Sequence, residues 1–243
     1  SNRIVEDPLA SAWDVSPTRQ KNLALFLHRM DESGLVNTYL KALDNEKAPE
    51  ELKILIAKEI VSRGPLSAIE ISNLVSEASI PLSRTFLSMD RRNKLIDILK
   101  STVEGLDESN KQRIKEFLVI QIDKSPIYDN FKALQSVISD TEFLDLMIEK
   151  ASDRKNPNRQ EYLEQIWSWT DKEKSLRFLE SVMNDETEDL TMRISAVTKV
   201  WGIVYNNREH YNHQRHFETA IKVLEKGIKI NDEPINLAAL NAF

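Results

Sequence analysis

Apolar residues recur every three to four positions along most of this chain, the spacing of one face of an α-helix. Residues that typically begin and end helices occur where this period predicts helix boundaries. Ser16-Pro17 is typical of a helix start, and Gly64-Pro65 of a helix end, because glycine accepts the left-handed conformation and proline cannot continue the helix. Runs of alternating polar and apolar residues, which indicate β-strands, are nearly absent. The pattern therefore predicts an all-α protein.

The segments that we expect to be helical are joined by short polar connections. The first contains the apolar stripe Leu23, Phe26, Leu27 and Met30 and ends at Gly34. The others are 50–63, 66–77, 82–89, 93–103, 109–122, 128–138, 141–151, 159–169, 172–183, 190–206, 217–230 and 235–243. Short connections favour antiparallel hairpins, and so many hairpins favour a stack over a single four-helix bundle. The expected architecture is an irregular α-solenoid, a right-handed superhelix of antiparallel helical hairpins.

A shift of 34 residues aligns two helices of the second half. It places Arg159 on Arg193 and Trp167 on Trp201, with matching apolar positions between them. The shared arginine and tryptophan go beyond what any two amphipathic helices have in common. We interpret this match as an internal repeat.

The polar stretch 152–158 is the clearest internal boundary. We therefore expect residues 1–152 to form helical hairpins without a clear repeat and residues 153–243 to form repeats. No low-complexity linker separates the two parts, so the expectation is one continuous solenoid.

The last fifty residues resemble tetratricopeptide repeats. One helix carries a large residue, a small residue and an aromatic residue in the family's order: Trp201, Gly202 and Tyr205. The next helix continues the pattern with Phe217, Ala220, Leu224 and Gly227. Asn231-Asp232 stands where the family usually has Asp-Pro. The second-choice resemblance is to HEAT repeats, whose second helix is similar to the segments beginning at Asp189 and Asp232.

The small residues of this segment have a physical use. We expect Gly202, Ala220 and Gly227 to let neighbouring helices approach closely while the larger residues fill the gaps between them. The resemblance also implies a groove lined by the first helix of each hairpin. Carried over by position, the residues that line it are Ala196, Lys199, Ile203, Asn206 and Asn207.

Two residue types in that groove have an obvious binding chemistry. Lys199 would pair with a carboxylate of the partner, and the asparagines would hold an extended backbone. A second candidate contact comes from Trp167 and Trp169, which lie two residues apart and so point to different helix faces. We expect one of them in the core and Trp169 at a partner surface.

The amino-acid composition excludes several classes of functional site. The chain has no cysteine, which excludes disulfides, thiolate metal sites and cysteine nucleophiles. Its five glycines are widely spaced, which excludes a glycine-rich phosphate loop. Neither the Gly-x-Ser-x-Gly nor the His-Glu-x-x-His signature is present, so we expect no catalytic residues and no cofactor.

Three of the four histidines stand at three-residue spacing, at His210, His213 and His216. On a helix they would fan over about 120°, too wide for all three to converge on one ion. We interpret the segment as a solvated turn between helices. The alternative is a surface metal held by two of these histidines with Glu209 or Glu218.

The charge pattern argues against some partners. With 33 basic and 39 acidic residues the net charge is −6, and no long basic run occurs, so we expect no nucleic-acid partner. No apolar run approaches the length of a membrane span, so we expect no membrane insertion. The acidic cluster at 185–189 would supply negative charge to the start of the following helix.

The sequence is compatible with more than one cellular compartment. The chain begins with Ser1-Asn2 rather than methionine, which we interpret as the scar of a removed tag, with a cleaved export signal as the alternative. A soluble cytoplasmic protein and an exported, periplasmic protein both fit.

These observations together predict a non-enzymatic scaffold that binds a protein or peptide in a helical-repeat groove. Two alternatives remain. One is an α/α hydrolase or lyase with a dispersed carboxylate pair, which requires a deep pocket and raised carboxyl pKa values. The other is an accessory helical domain of a larger protein. The sequence leaves the oligomeric state undetermined.

Overall fold

A computed structural model describes residues 17–45, 47–78, 88–166, 172–207, 214–230 and 232–241. These ranges contain thirteen α-helices and no β-strand, which confirms the all-α prediction. The chain forms two compact units, Ser1–Val137 and Ile138–Phe243. The polar stretch at 152–158 therefore lies inside the second unit. The helix expected at 82–89 falls mostly outside the described residues.

Unit 1 holds seven described helices. They are α1 (Pro17–His28), α2 (Glu32–Asp44), α3 (Glu50–Ser62), α4 (Pro65–Ala78), α5 (Met89–Glu104), α6 (Glu108–Lys124) and α7 (Tyr128–Val137). Three pairs of consecutive helices pack together: α2 with α3, α4 with α5, and α6 with α7. Alternate helices also pack, α1 on α3, α3 on α5 and α5 on α7 in one series, and α2 on α4 and α4 on α6 in the other.

The core of unit 1 consists of branched aliphatic side chains on the inner faces of these helices. Fully buried examples are Leu27, Leu35, Leu52, Ile56, Ile60, Ile71, Leu95, Leu99, Ile114 and Leu118. Burial of each such side chain stabilises the fold by about 1.5–3 kcal/mol relative to exposure. Phe26, expected in the first apolar stripe, is instead 57% exposed.

Two glycines of unit 1 test the expected helix ends. Gly64 has a φ of 63° between α3 and α4, which confirms the left-handed cap. Gly34 was expected to end a helix, and that expectation is wrong. It lies inside α2, where its backbone N–H donates to Asp31 Oδ1 at 2.7 Å. Asp31 is therefore the N-cap of a helix that the apolar pattern alone did not reveal.

Unit 2 holds six described helices. They are α8 (Asp140–Ser152), α9 (Arg159–Glu164), α10 (Lys172–Asn184), α11 (Leu190–Asn207), α12 (Gln214–Lys229) and α13 (Glu233–Asn241). The consecutive helices α8–α9, α10–α11 and α12–α13 pack as pairs, and α11 also packs on α12, which joins the second pair to the third. Alternate helices pack here too, α9 on α11, α11 on α13 and α10 on α12. Within the described ranges, no helix of either unit is long and apolar enough to cross a membrane.

The expected close approach of helices occurs at Gly227 and not at Gly202. A Cβ added to Gly227 would lie 3.0 Å from Met183 Sδ and 3.2 Å from Ala239 Cβ, so α10 and α13 both crowd this position on α12. A Cβ on Gly202 would meet no described atom within 4 Å. The packing role expected of Gly202 is therefore wrong for the described part of unit 2, and Ala220, fully buried, keeps its role.

Candidate functional site

Helix α11 has one buried side, and the rest of its surface faces solvent. Its buried side follows the helical period through Met192, Ala196, Val200 and Ile203, each at most 3% exposed. The rest of the helix carries the residues that we call the α11 surface: Leu190, Ile194, Thr198 and Trp201 on one flank, and Lys199 on the other. Leu190 is 43% exposed and Trp201 is 37% exposed, so large apolar groups lie open to solvent there.

The predicted groove residues fall on both sides of this helix. Lys199 is half-exposed and forms no salt bridge with another described residue. Ala196 and Ile203 are 0% and 3% exposed, so they pack in the core of unit 2 and are not presented to a partner. The physical reason is their register, which continues the buried stripe.

The side chains of the remaining predicted contacts lie outside the described residues. Asn206 and Asn207 form the end of α11, but their side chains lie outside the described residues. Trp169 lies outside the described residues altogether. The structure therefore positions one predicted contact, Lys199, on the α11 surface.

Sequence reasoning missed Trp201 as a surface residue. The tetratricopeptide pattern assigns it to the repeat core. In the structure it lies one position past the buried Val200, and that step rotates its side chain by about 100° out of the buried stripe. The signal that could have revealed it was the helical period of α11 itself, with Val197 and Val200 already filling the core positions.

The acidic cluster before α11 binds two arginines. Arg159 makes a paired contact with Glu188, Nη1 to Oε1 at 2.8 Å and Nη2 to Oε2 at 2.6 Å. Arg154 donates to Asp185 Oδ2 at 2.9 Å and to Thr187 Oγ1 at 2.8 Å. The cluster thus joins the loop after α8 to the loop before α11, a role beyond the helix-start charge that the sequence predicts.

Hydrogen bonds hold the carboxyl pKa values of this cluster below their ordinary range. For Asp185 the largest cause is the hydrogen bond from the Thr187 hydroxyl, followed by the Thr187 backbone N–H. Burial alone would raise the pKa of Glu188, but hydrogen bonds from Arg159 and the Asp189 N–H, with the charge of Arg159, bring it to a lowered value. These groups stay ionised at neutral pH and act as structural anions.

The histidine segment, with its alternative metal site, lies outside the described side chains. His210 and His213 lie outside the described residues, and so does the side chain of His216. Among the residues that the structure describes, no group of three histidine, aspartate or glutamate side chains comes close enough to hold a metal ion.

No protein-family model matches this chain, and no curated protein matches its sequence. The tetratricopeptide and HEAT resemblances therefore rest on the sequence pattern.

Proposed function

We propose that this protein is a non-enzymatic scaffold that binds a protein or peptide segment on a stack of helical hairpins. The order of packing in each unit supports this. Consecutive helices pair, and alternate helices pack in two series, which is the arrangement that nearest-neighbour stacking of hairpins produces. Stacks of this kind leave long helix faces available to partners, and the proposed architecture is the α-solenoid that the sequence suggests.

The α11 surface is the proposed contact, and the exposure of Trp201 is the observation that carries it. Lys199, two residues away along α11, lies on the other flank of the same surface. Interface centres are enriched in aromatic residues and poor in charge. Between Leu190 and Trp201, Lys199 is the one charged side chain outside the buried side of α11, because Arg193 is 5% exposed. A partner segment with an apolar side chain for Trp201 and one carboxylate for Lys199 matches that surface.

The alternative hydrolase needs a carboxyl group that stays protonated near neutral pH. The carboxyl groups in the described residues with a clear pKa shift are Asp185, Glu188 and Asp189, and all three shifts are downward. Asp185, Glu188 and Asp189 are therefore not the protonated carboxyl group that such an enzyme needs.

A displayed peptide library tests the proposal. The purified chain, a Lys199→Glu variant and a Lys100→Glu variant are each used to enrich peptides, after circular dichroism has verified that all three are helical. Lys100 is exposed on α5 in unit 1, so its reversal makes the same charge change at a residue that is not part of the α11 surface. We expect carboxylate-bearing peptides that bind about tenfold more weakly to the Lys199 variant and equally to the Lys100 variant.

Two results would contradict it. Enrichment of no peptide would count against a binding scaffold. Equal loss in both variants would mean that binding follows net charge rather than the α11 surface.

A further inference from the structure

The outward face of α12 carries four charged side chains in alternating order. We call this set the α12 stripe: Glu218, Lys222, Glu225 and Lys229, all exposed. Spacings of four, three and four residues keep them within a narrow band along the helix. The opposite side of α12 is buried and consists of Ala220, Val223, Leu224 and Gly227. The stripe is therefore directed away from the core of unit 2.

The order of charges along the stripe is complementary to the same order taken in the opposite direction. Along the chain they run negative, positive, negative, positive, and in the opposite direction every sign is exchanged. When a second α12 lies antiparallel, with the two-fold axis between Val223 and Leu224, Glu218 meets Lys229 and Lys222 meets Glu225. Each contact occurs twice, as a symmetric interface requires. A parallel arrangement would instead bring like charges together.

We propose that two copies of this chain associate through the α12 stripe, in antiparallel orientation, as a symmetric dimer. Exposed ion pairs contribute little affinity and mainly fix orientation. Apolar surface is available on the same hairpin, because α13 packs against α12 and exposes Leu237 by 52% and Leu240 by 53%. The proposal goes beyond partner binding at the α11 surface, since no residue is shared.

The same four residues could also pair within one helix, Glu218 with Lys222 and Glu225 with Lys229. Such pairs stabilise a helix but have no effect on association. Charge reversal separates the two cases. Lys222→Glu places two like-charged contacts across the proposed dimer, and Glu225→Lys does the same with the opposite sign. The double variant Lys222→Glu/Glu225→Lys has the order negative, negative, positive, positive, which is again complementary under the same two-fold axis.

Sedimentation velocity of the full chain up to about 100 μM provides the measurement. We expect a concentration-dependent dimer for the unchanged protein and a dissociation constant raised about tenfold or more in each single variant. We expect the double variant to regain the original constant. Lys100→Glu on α5 should leave association unchanged, and helical circular dichroism shows that each variant is folded.

Three outcomes would overturn the proposal. The first is a chain that stays monomeric over the whole concentration range. The second is a single reversal that dimerises like the unchanged protein. The third is a folded double variant that remains as weak as the single ones, which would exclude antiparallel pairing of the stripe. Because the readout is self-association, its failure leaves the peptide-binding test at the α11 surface independent.

Discussion

Arg159 and Arg193, 34 residues apart, make the same backbone contact in successive hairpins. The Nε–H of each arginine donates to a carbonyl oxygen in the last turn of the preceding helix, Ala151 for Arg159 and Met183 for Arg193, both at 3.0 Å. These carbonyls belong to the group that has no partner within its own helix. Each arginine therefore completes the end of one helix from the start of the next.

The outer nitrogens of both arginines bind an acidic residue that precedes a later helix. Arg159 holds Glu188 through both outer nitrogens, while Arg193 Nη1 holds Asp232 Oδ2 at 2.6 Å. The second outer nitrogen of Arg193 is buried without a hydrogen-bond partner among the described residues. The shorter aspartate thus makes one contact where the glutamate makes two.

Replacing Arg193 by lysine should destabilise the protein. Arg193→Lys keeps the charge that faces Asp232 but removes the Nε–H that satisfies the Met183 carbonyl. Because Arg193 is only 5% exposed, we expect the free energy of unfolding in urea to fall by about 1–3 kcal/mol.

Arg154→Lys is the matched control, since Arg154 also pairs with an acidic residue but its side chain is 54% exposed. The free energy of unfolding should change by less than about 0.5 kcal/mol. Equal losses in the two variants would mean that burial of the Arg193 contacts has no energetic consequence.

The match between Arg159 and Arg193 shows how much of this arrangement could be predicted from the sequence. The 34-residue shift identified Arg159 and Arg193 as equivalent positions. Their acidic partners could not be found in the same way, because they lie 29 and 39 residues further along the chain. Loop lengths differ between hairpins, so a fixed period aligns helices but not the residues that join them.

The glycines whose roles were wrongly predicted, Gly34 and Gly202, show a second limit of prediction from sequence. A glycine after an apolar stripe is typical of a helix end, and at Gly64 that inference was correct. At Gly34 the deciding residue was Asp31, whose side chain caps a new helix that contains the glycine. At Gly202 a small residue in a repeat-like pattern predicted a helix contact, but only three-dimensional packing distinguishes it from Gly227.

Gly202 and Gly227 should respond to alanine with opposite signs. Gly202→Ala places a methyl group where no described atom lies within 4 Å and improves helix propensity, so we expect a gain of up to about 1 kcal/mol in unfolding free energy. Gly227→Ala pushes a methyl group against Met183 and Ala239, so we expect a loss of about 1–3 kcal/mol. Urea unfolding followed by circular dichroism measures both.

A gain in both variants would show that α10 and α13 can move away from α12 at little cost. The double variant adds a further check. If the two positions act independently, its change in unfolding free energy should equal the sum of the single changes.

The Arg159–Glu188 pair should make the protein sensitive to acid. The pKa of Glu188 is lowered in the folded state, so its stabilising contribution is complete above the ordinary glutamate value of 4.5. It is lost as the pH falls through the lower, folded value, because protonation then breaks the paired contact with Arg159. Glu188→Gln should lower the urea midpoint at neutral pH and flatten its decline between about pH 5 and pH 3.

Glu186→Gln provides the comparison for that experiment. Glu186 is exposed in the same loop and forms no salt bridge with another described residue. Its variant should follow the pH profile of the unchanged protein. An identical profile for the Glu188 variant would show that the contact with Arg159 contributes nothing to acid sensitivity.

Ser175 buries a hydroxyl group in the core of unit 2, where no described residue pairs with it. The residue is fully buried in α10, and its Oγ makes no hydrogen bond with the residues that the structure describes. Burial of an unpartnered hydroxyl costs free energy, whereas a methyl group at the same position costs none. Ser175→Ala should therefore raise the free energy of unfolding by about 1 kcal/mol.

Ser72 distinguishes this effect from the general preference of helices for alanine. Ser72 is equally buried in α4, but its hydroxyl donates to the Ala68 carbonyl at 2.8 Å. Ser72→Ala gains the same helix propensity and loses that hydrogen bond, so we expect a smaller gain or a loss in urea unfolding. If both variants gained equally, propensity alone would explain the result, and the missing partner of Ser175 would have no measurable cost.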